Sequence, residues 1–429
     1  MAQLTIEPCQ LKGSLTVPSS KSHTMRALLF AAMADGKSVI KNALMSADTY
    51  KMMAACQSFG AAVQQIEQTI VVEGIKGQLQ GACDIIDAGN SGIILRFCAA
   101  LSANGHRPVV ITGDHSIKYL RPMKSLIEGM EQLGASAISI KGDQFAPLIV
   151  QGPLKHSYAI VDGEDSQFVS ALLIAAAFAP HPITLKVQNA GEKPWVALTL
   201  DWFQRLAIFY QNKEYTEYYM RGNSIYPGFT YRVPGDFSSA AFPIAAALIT
   251  GSELTIFNLD LQDCQGDKVL LSLFEQMGAQ LIYDSKTSCL KVEKEAQLLG
   301  IEIDVNDCID ALPILAVVAC FAKGVTKIRN GKVARSKESD RISAMFQELL
   351  KMGAQIKEEV DGLTIMGSTL NGAFVESHQD HRVAMALAIA AMGAKGKTMI
   401  DGIDCIAKSY PNFVADLQLI GAKMQRSVN

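Results

Sequence analysis

Residues Lys268–Ala279 read KVLLSLFEQMGA, apolar side chains at helical spacing followed by Gly278, where the helix must stop. A residue just past a helix end commonly takes the left-handed conformation that lets the last carbonyls find donors, and glycine does so without steric cost. The same ending recurs as SFGA at Ser58–Ala61, QLGA at Gln132–Ala135, KMGA at Lys351–Ala354 and LIGA at Leu419–Ala422, with a degenerate copy, QRLAI, at Gln204–Ile208. From Gly60 through Gly134, Ala207, Gly278 and Gly353 to Gly421, the steps are 74, 73, 71, 75 and 68 residues. An interval this regular marks six units of about seventy residues rather than chance use of a common dipeptide.

Each unit carries the same order of elements. In the fourth, the pattern predicts an Ala-rich helix over Ser239–Thr250, a strand over Leu254–Asn258, an amphipathic helix over Lys268–Met277 and β-rich sequence to Val292. The Ala-rich stretches, such as Ala240–Leu248 and Ala384–Met392, are apolar nearly all round, which suits a helix enclosed by sheet and other helices. No unit can close a core alone. The expectation is an α/β fold of six βαβαββ-type units, three to each of two domains, with sheets packed around buried helices. The boundary falls near Pro234–Asp236, giving a first domain of residues 20–235 and a second of 1–19 plus 236–429.

Composition narrows the function. With 49% hydrophobic and 19% charged residues over 429 positions, the chain can bury a large core. Its longest apolar runs, Phe168–Pro180 and Ile314–Ala322, fall short of the roughly eighteen residues a membrane span needs, and no basic-then-apolar signal opens the sequence. A cytoplasmic location is expected. A net charge of −3 argues against nucleic acid or anionic membrane as a partner. Nine cysteines, scattered without metal-ligand spacing, read as reduced, buried small hydrophobes. An anionic ligand would need a local basic cluster.

Such clusters stand at the loops ahead of the Ala-rich helices, where unpaired N–H groups and partial positive charge favour anions. Lys21, Ser22 and Arg26 lie within two turns of one helix start, and Gly89–Arg96 opens another with glycines that allow close backbone approach. Arg121 precedes Pro122, Asp310 precedes a buried helix, and Ser336–Arg341, Gln379–Arg382 and Lys408 add charge in the last two units. A lone charge run is usually a solvated face. Charges at the mouths of apolar helices in both halves are better explained by one anion site between the domains.

Taken in chain order, PSSKSHTMR, GNSGIILR, GDHSIKYLRPM, SQFVSALL, PGDFSSAAF, IDALP, KESDRI, DHRVAM and AKSYP, from Pro18 to Pro411, resemble the successive signature motifs of EPSP (5-enolpyruvylshikimate-3-phosphate) synthases. The resemblance covers nearly the whole chain. It implies the two-domain enolpyruvyl transferase fold and transfer of the carboxyvinyl group of phosphoenolpyruvate to the 5-hydroxyl of shikimate 3-phosphate, a step of chorismate and aromatic amino acid biosynthesis. It also implies a monomer that closes its domains on its ligands and requires no metal or organic cofactor.

By the same resemblance, Asp310, Glu338, Lys21 and His381 are catalytic, Asp310 at the attacking hydroxyl and Glu338 as donor to the methylene carbon. Phosphoenolpyruvate falls to Lys21, Gly92, Arg121, Gln167, Arg341, Arg382 and Lys408. Shikimate 3-phosphate falls to Lys21, Ser22, Arg26, Ser166, Gln167, Asp310 and Lys337. The competing use of Asp310 and Glu338 is helix N-capping, routine for a carboxylate ahead of a helix.

Four positions depart from the pattern. Ile93 and Phe97 replace Thr and Pro in the phosphoenolpyruvate loop, and Asp165 and Glu192 stand where the family has serines that donate to the 3-phosphate. A carboxylate about 4 Å from a phosphate charge costs about 4 kcal/mol at an effective dielectric of 20. Either Asp165 turns away to cap its helix or the acceptor differs. A UDP-N-acetylglucosamine enolpyruvyl transferase is disfavoured because Asp114–Leu120, ahead of Arg121, holds no cysteine. A non-catalytic anion-binding paralogue is disfavoured because Lys21, Asp310, Glu338, Arg341, Arg382 and Lys408 all survive.

Overall fold

The computed structural model describes residues 2–79, 85–294 and 297–428. Contacts divide the chain into two compact units, Ser20–Val233 and Met1–Ser19 with Pro234–Asn429.

In the first unit the Ala-rich helices form over Lys21–Met33, Gly92–Ser102 and Ser166–Phe178. In the second they form over Phe237–Thr250, Leu312–Phe321 and His381–Gly393. Their burial follows from composition. Every residue from Val383 to Ala391 is 0% exposed, and each unit's helices sit within one continuous apolar core. The helix predicted over Ser239–Thr250 begins two residues earlier, because the Asp236 carboxylate accepts from Ser239 N–H at 2.8 Å and starts it there. The following strand is Glu253–Phe257, and the amphipathic helix is Val269–Gln276 behind a 3-10 turn at Gly266–Lys268.

The six markers of the repeat share one backbone state. Gly60, Gly134, Gly278, Gly353 and Gly421 have φ between 87° and 107°, and Ala207 has φ 53°. The degenerate copy therefore keeps the conformation with a Cβ in place, at a strain of about 1–2 kcal/mol.

Among the described residues, six four-stranded sheets cover the helices. In the second repeat Ile85–Asp87 runs parallel to Val109–Thr112, which pairs antiparallel with Leu148–Gln151, and that strand with Ser136–Ser139. The first strand of this pattern is not always local. Thr230–Arg232 supplies it to the first repeat beside Lys37–Lys41, and Lys12–Thr16 to the fourth beside Glu253–Phe257. In the sixth, Ala2–Glu7 lies between Thr398–Asp401 and Lys423–Val428.

Among the described residues no helix is long and apolar enough to cross a membrane. The cysteines differ in part from expectation. Cys56, Cys98, Cys308 and Cys320 are buried thiols, whereas Cys9, Cys264, Cys289 and Cys405 are thiols only half-buried; Cys83 lies outside the described residues.

The sequence pattern did not disclose how the buried helices end. Their C-caps at Ala34, Ala103, Ala179 and Ala322 present carbonyl oxygens to Gly74, Gly152, Gly222 and Gly367, where an added Cβ would lie 1.8 to 2.5 Å away. At Gly367 that distance is 1.8 Å from backbone, which cannot swing aside as a side chain would. Gly367→Ala is therefore expected to lower the unfolding free energy by about 1–3 kcal/mol, the range for overpacking. Denaturant unfolding of the variant, unchanged in midpoint, would show that the contact relaxes freely.

Candidate active site

In the second unit the charged residues converge on one guanidinium. Arg341 is the first residue of the helix Arg341–Lys351 and is 1% exposed. Its Nε donates to Asp380 Oδ2 at 2.8 Å, Nη1 to Asp310 Oδ1 at 2.6 Å and Nη2 to Glu338 Oε2 at 2.7 Å. Arg382 Nη2 lies 3.3 Å from Asp310 Oδ2, and Lys408 Nζ donates to Glu338 Oε1 at 2.5 Å. Lys337 is buried nearby, and its charge acts on Asp310. The structure thus gathers Asp310, Glu338, Lys337, Arg341, Arg382 and Lys408.

Neither carboxylate proposed for chemistry is a helix cap. Asp310 belongs to a 3-10 turn over Asn306–Ala311, and its side chain is 28% exposed. The helix Leu312–Phe321 after Asp310 starts from Ala311 without a side-chain cap, the helix after Glu338 is capped by Asp340, which accepts from Ser343 N–H at 3.1 Å, and His381–Gly393 is capped by Asp380, which accepts from Arg382 N–H at 2.8 Å. His381 follows Asp380 as the first helical residue, its ring buried and Nδ1 3.8 Å from Asp380 Oδ1. Glu338, Asp380 and His381 place ligand atoms within 4.8 Å of one another, a spacing a cation could use. Their carboxylates are already engaged by Arg341 and Lys408.

Burial and neighbouring charge set these groups apart. Burial alone would raise the Asp310 carboxyl, but Arg382, Arg341 and Lys337 outweigh it and hold the group well below the usual carboxylate range, with Glu338 opposing them. Asp267 goes the other way. Fully buried, with only one oxygen hydrogen-bonded among the described residues, by Ser238, it is pushed up to about 7 by burial; the Arg382 charge opposes the rise and Asp310 adds to it.

In the first unit, Lys21 opens its helix behind the N-cap Ser20, and its Nζ lies 3.8 Å from Asp48 Oδ2. Ser22 follows, half-buried. Arg26 is 3% exposed; its Nε donates to Thr199 Oγ1 at 3.0 Å, its Nη1 to the Ser22 carbonyl and its Nη2 to the Trp195 carbonyl at 3.3 Å each. These bonds tie it to the helix Lys193–Arg205. Gly92 begins the helix Gly92–Ser102, and a Cβ there would stand 3.2 Å from Arg96 Nη1 and 3.3 Å from both Arg121 Nη1 and Gln167 Oε1. Arg121, Gln167 and Gly92 are therefore together, and a Cβ at position 92 would crowd these side-chain ends by a few tenths of an ångström. Arg121 also donates from Nε to Ser116 Oγ at 3.4 Å.

Of the four departures, Phe97 lies in the second turn of its helix, fully buried, with the Arg26 guanidinium carbon 5.1 Å from its ring centre; Ile93 packs half-buried on the same core. Asp165 does cap its helix, accepting from Gln167 N–H at 2.9 Å, with Arg96 Nη1 3.1 Å from its other oxygen. Ser166 does not stand open beside it: both its N–H and its hydroxyl donate to Glu192 Oε2, at 2.9 and 2.8 Å.

The sequence reading passed over Asp380, Arg96, Asp48 and Asp267. The first two carried a usable signal, since a buried arginine requires a carboxylate and each stands inside a quoted motif. Asp48 and Asp267 meet their partners only through tertiary contacts.

The EPSP synthase (3-phosphoshikimate 1-carboxyvinyltransferase) family model matches residues 6–417. The 3-phosphoshikimate 1-carboxyvinyltransferase of Chlamydia pneumoniae is 41% identical over 99% of this chain and 95% of its own length, and that of Acetivibrio thermocellus is 41% identical over 98% of both. An EPSP synthase structure from Acinetobacter baumannii superposes over the full length of both chains with a TM-score of 0.82 at 25% identity. With a family match and relatives of this extent behind the geometry, the chain belongs to the EPSP synthase family.

Proposed function

We propose that the chain transfers the carboxyvinyl group of phosphoenolpyruvate to the 5-hydroxyl of shikimate 3-phosphate and releases inorganic phosphate, acting in the cytoplasm. The observation that carries this reading is the sharing of Arg341 by Asp310, Glu338 and Asp380, with Arg382 and Lys408 completing the charge. Phosphoenolpyruvate is a compact polyanion. The resemblance assigns it to Lys21, the Gly92 backbone, Arg121, Gln167, Arg341, Arg382 and Lys408. The acceptor is assigned to Lys21, Ser22, Arg26, Ser166, Gln167, Asp310 and Lys337.

The chemistry adds the acceptor hydroxyl to C2 of phosphoenolpyruvate while a proton reaches C3, then removes a proton from that methyl group as the C2–O bond to phosphate breaks. Glu338 with Lys408 forms a pair across which the C3 proton can move. Asp310 takes the hydroxyl proton. Held so far below its usual range it is a weak base, and the substrate changes this: a carboxylate or phosphate competing for Arg341 and Arg382 weakens their hold, and the Asp310 carboxyl rises toward the range in which it accepts a proton. The guanidiniums then face the charge that develops as phosphate leaves.

Three measurements test this. Purified protein mixed with phosphoenolpyruvate and shikimate 3-phosphate should release phosphate; no release with either shikimate or its 3-phosphate would overturn the proposal. Asp310→Asn should lower kcat about a hundredfold without raising the KM for phosphoenolpyruvate, and near wild-type turnover would remove Asp310 from the mechanism.

The third uses Asp267. Its pKa is raised in the fold, so folding takes up a proton between about 4 and 7; the stabilisation is full below the unfolded value and is lost as pH rises through about 7. Asp267→Asn removes this dependence. Relative to wild type it should gain about 2–3 kcal/mol between pH 5 and pH 8 in denaturant unfolding, at about 1.4 kcal/mol per pH unit up to pH 7. A stability difference that does not change with pH would contradict the raised value.

A further inference from the structure

Two carboxylates occupy the start of the helix Ser166–Phe178. Asp165 is its own N-cap and is balanced by Arg96. The second comes from elsewhere. Glu192 stands at the N-cap position of Lys193–Arg205, in the left-handed region at φ 45° and ψ 40°, and its side chain does not cap that helix. Its side chain is buried, with the residue 1% exposed, and Oε2 takes both the N–H and the hydroxyl of Ser166. A carboxylate at an N-cap ordinarily bonds the free N–H groups of its own helix. Here it bonds those of a neighbour, in the manner of a bound anion.

We propose that Glu192 is a resident anion at the acceptor's phosphate seat, displaced when shikimate 3-phosphate binds, and that this displacement weakens binding of the phosphorylated acceptor and narrows its advantage over the unphosphorylated one. The inference rests on the assignment of Ser166 to the acceptor made above. Ser166 has one hydroxyl hydrogen and one backbone hydrogen, and Glu192 holds both, so a phosphate oxygen can use them only in its place. The two cannot share the seat, because like charges at contact distance repel strongly in a site with little water. A phosphate dianion carries about twice the charge of the carboxylate it replaces and gains more from the helix start, so the exchange runs forward. An unphosphorylated acceptor brings no anion to the seat and leaves Glu192 in place.

The same turn holds a donor for the incoming group. The Trp195 indole N–H is buried with no acceptor among the described residues, and its carbonyl already takes Arg26 Nη2 at 3.3 Å. An uncharged residue at position 192 would leave the seat easier to enter. The preference for phosphate would then widen in absolute affinity, since the phosphate would have no competing anion to displace.

The test is equilibrium binding of shikimate 3-phosphate and of shikimate, by calorimetry at low ionic strength, to wild type, Glu192→Gln and Glu192→Ser. Gln keeps the shape and an acceptor for Ser166, so folding is preserved, and thermal melting checks this. Both variants should bind shikimate 3-phosphate at least tenfold more tightly than wild type, with shikimate shifted less than twofold and the gain shrinking as salt is added. Affinity for the phosphate unchanged or weakened in both variants would make Glu192 a supporting wall of the site and overturn the proposal. Equal tightening of both ligands would overturn it as well, since the effect would then not act on the phosphate. Wild type that binds neither compound, or releases no phosphate with either, would instead overturn the acceptor assignment and this inference with it.

Discussion

A helix apolar on every side can meet polar partners only at its two ends. Six such helices dominate this chain, and that constraint fixes where everything charged can go. At the C-terminal ends the carbonyls of Ala34, Ala103, Ala179 and Ala322 are crossed by glycine backbones close enough to exclude a side chain. At the N-terminal ends Ser20, Asp165, Asp236 and Asp380 supply the missing acceptors. The positive field at each helix start adds to that of the arginines and lysines beside it in drawing anions to the same place.

The cations are not free charges waiting on a surface. Arg341, 1% exposed, is held by three carboxylates, and Lys408 and Arg382 each reach one of the same three acids. An arrangement of this kind is preorganised, because the guanidinium is already stripped of water and fixed in direction before a substrate arrives. It also makes the acids responsive. A ligand that draws a cation away changes the proton affinity of the carboxylate it leaves, which couples binding to acid–base chemistry without a moving part.

Much of the fold could be read from the sequence because the repeat depends on a local backbone requirement. A left-handed residue after each amphipathic helix favours glycine, and even Ala207, the weakest copy, takes that conformation. The charged residues that gather around Arg341 were conspicuous for a related reason: they stand at the mouths of apolar helices. What stayed hidden depends on contacts distant in sequence. Nothing near Glu192 indicates that its carboxylate will serve Ser166, 26 positions earlier, instead of its own helix. Nothing near Arg26 points to Thr199 and Trp195. Capping was a fair alternative for Asp310 and Glu338 on local grounds; it failed for Glu338 because Asp340 stands at that helix start, and for Asp310 because Ala311 holds the N-cap position of Leu312–Phe321, which takes no side-chain cap.

The borrowed strands have a consequence for how the protein is made. Lys12–Thr16 pairs with Glu253–Phe257, and Ala2–Glu7 pairs with Thr398–Asp401 and Lys423–Val428. At about 5–20 residues per second of synthesis, the first of these segments waits on the order of 10–50 s for its partner to emerge, and the second longer. Meanwhile Thr230–Arg232 closes the first repeat, so Ser20–Val233 can complete its sheets while the opening segment is still unpaired. Leu4, Ile6 and Leu15, buried in the finished fold, are exposed for that interval. Until its own carboxyl half arrives, a nascent chain of this topology carries unpaired strands of the kind that invite pairing with another chain.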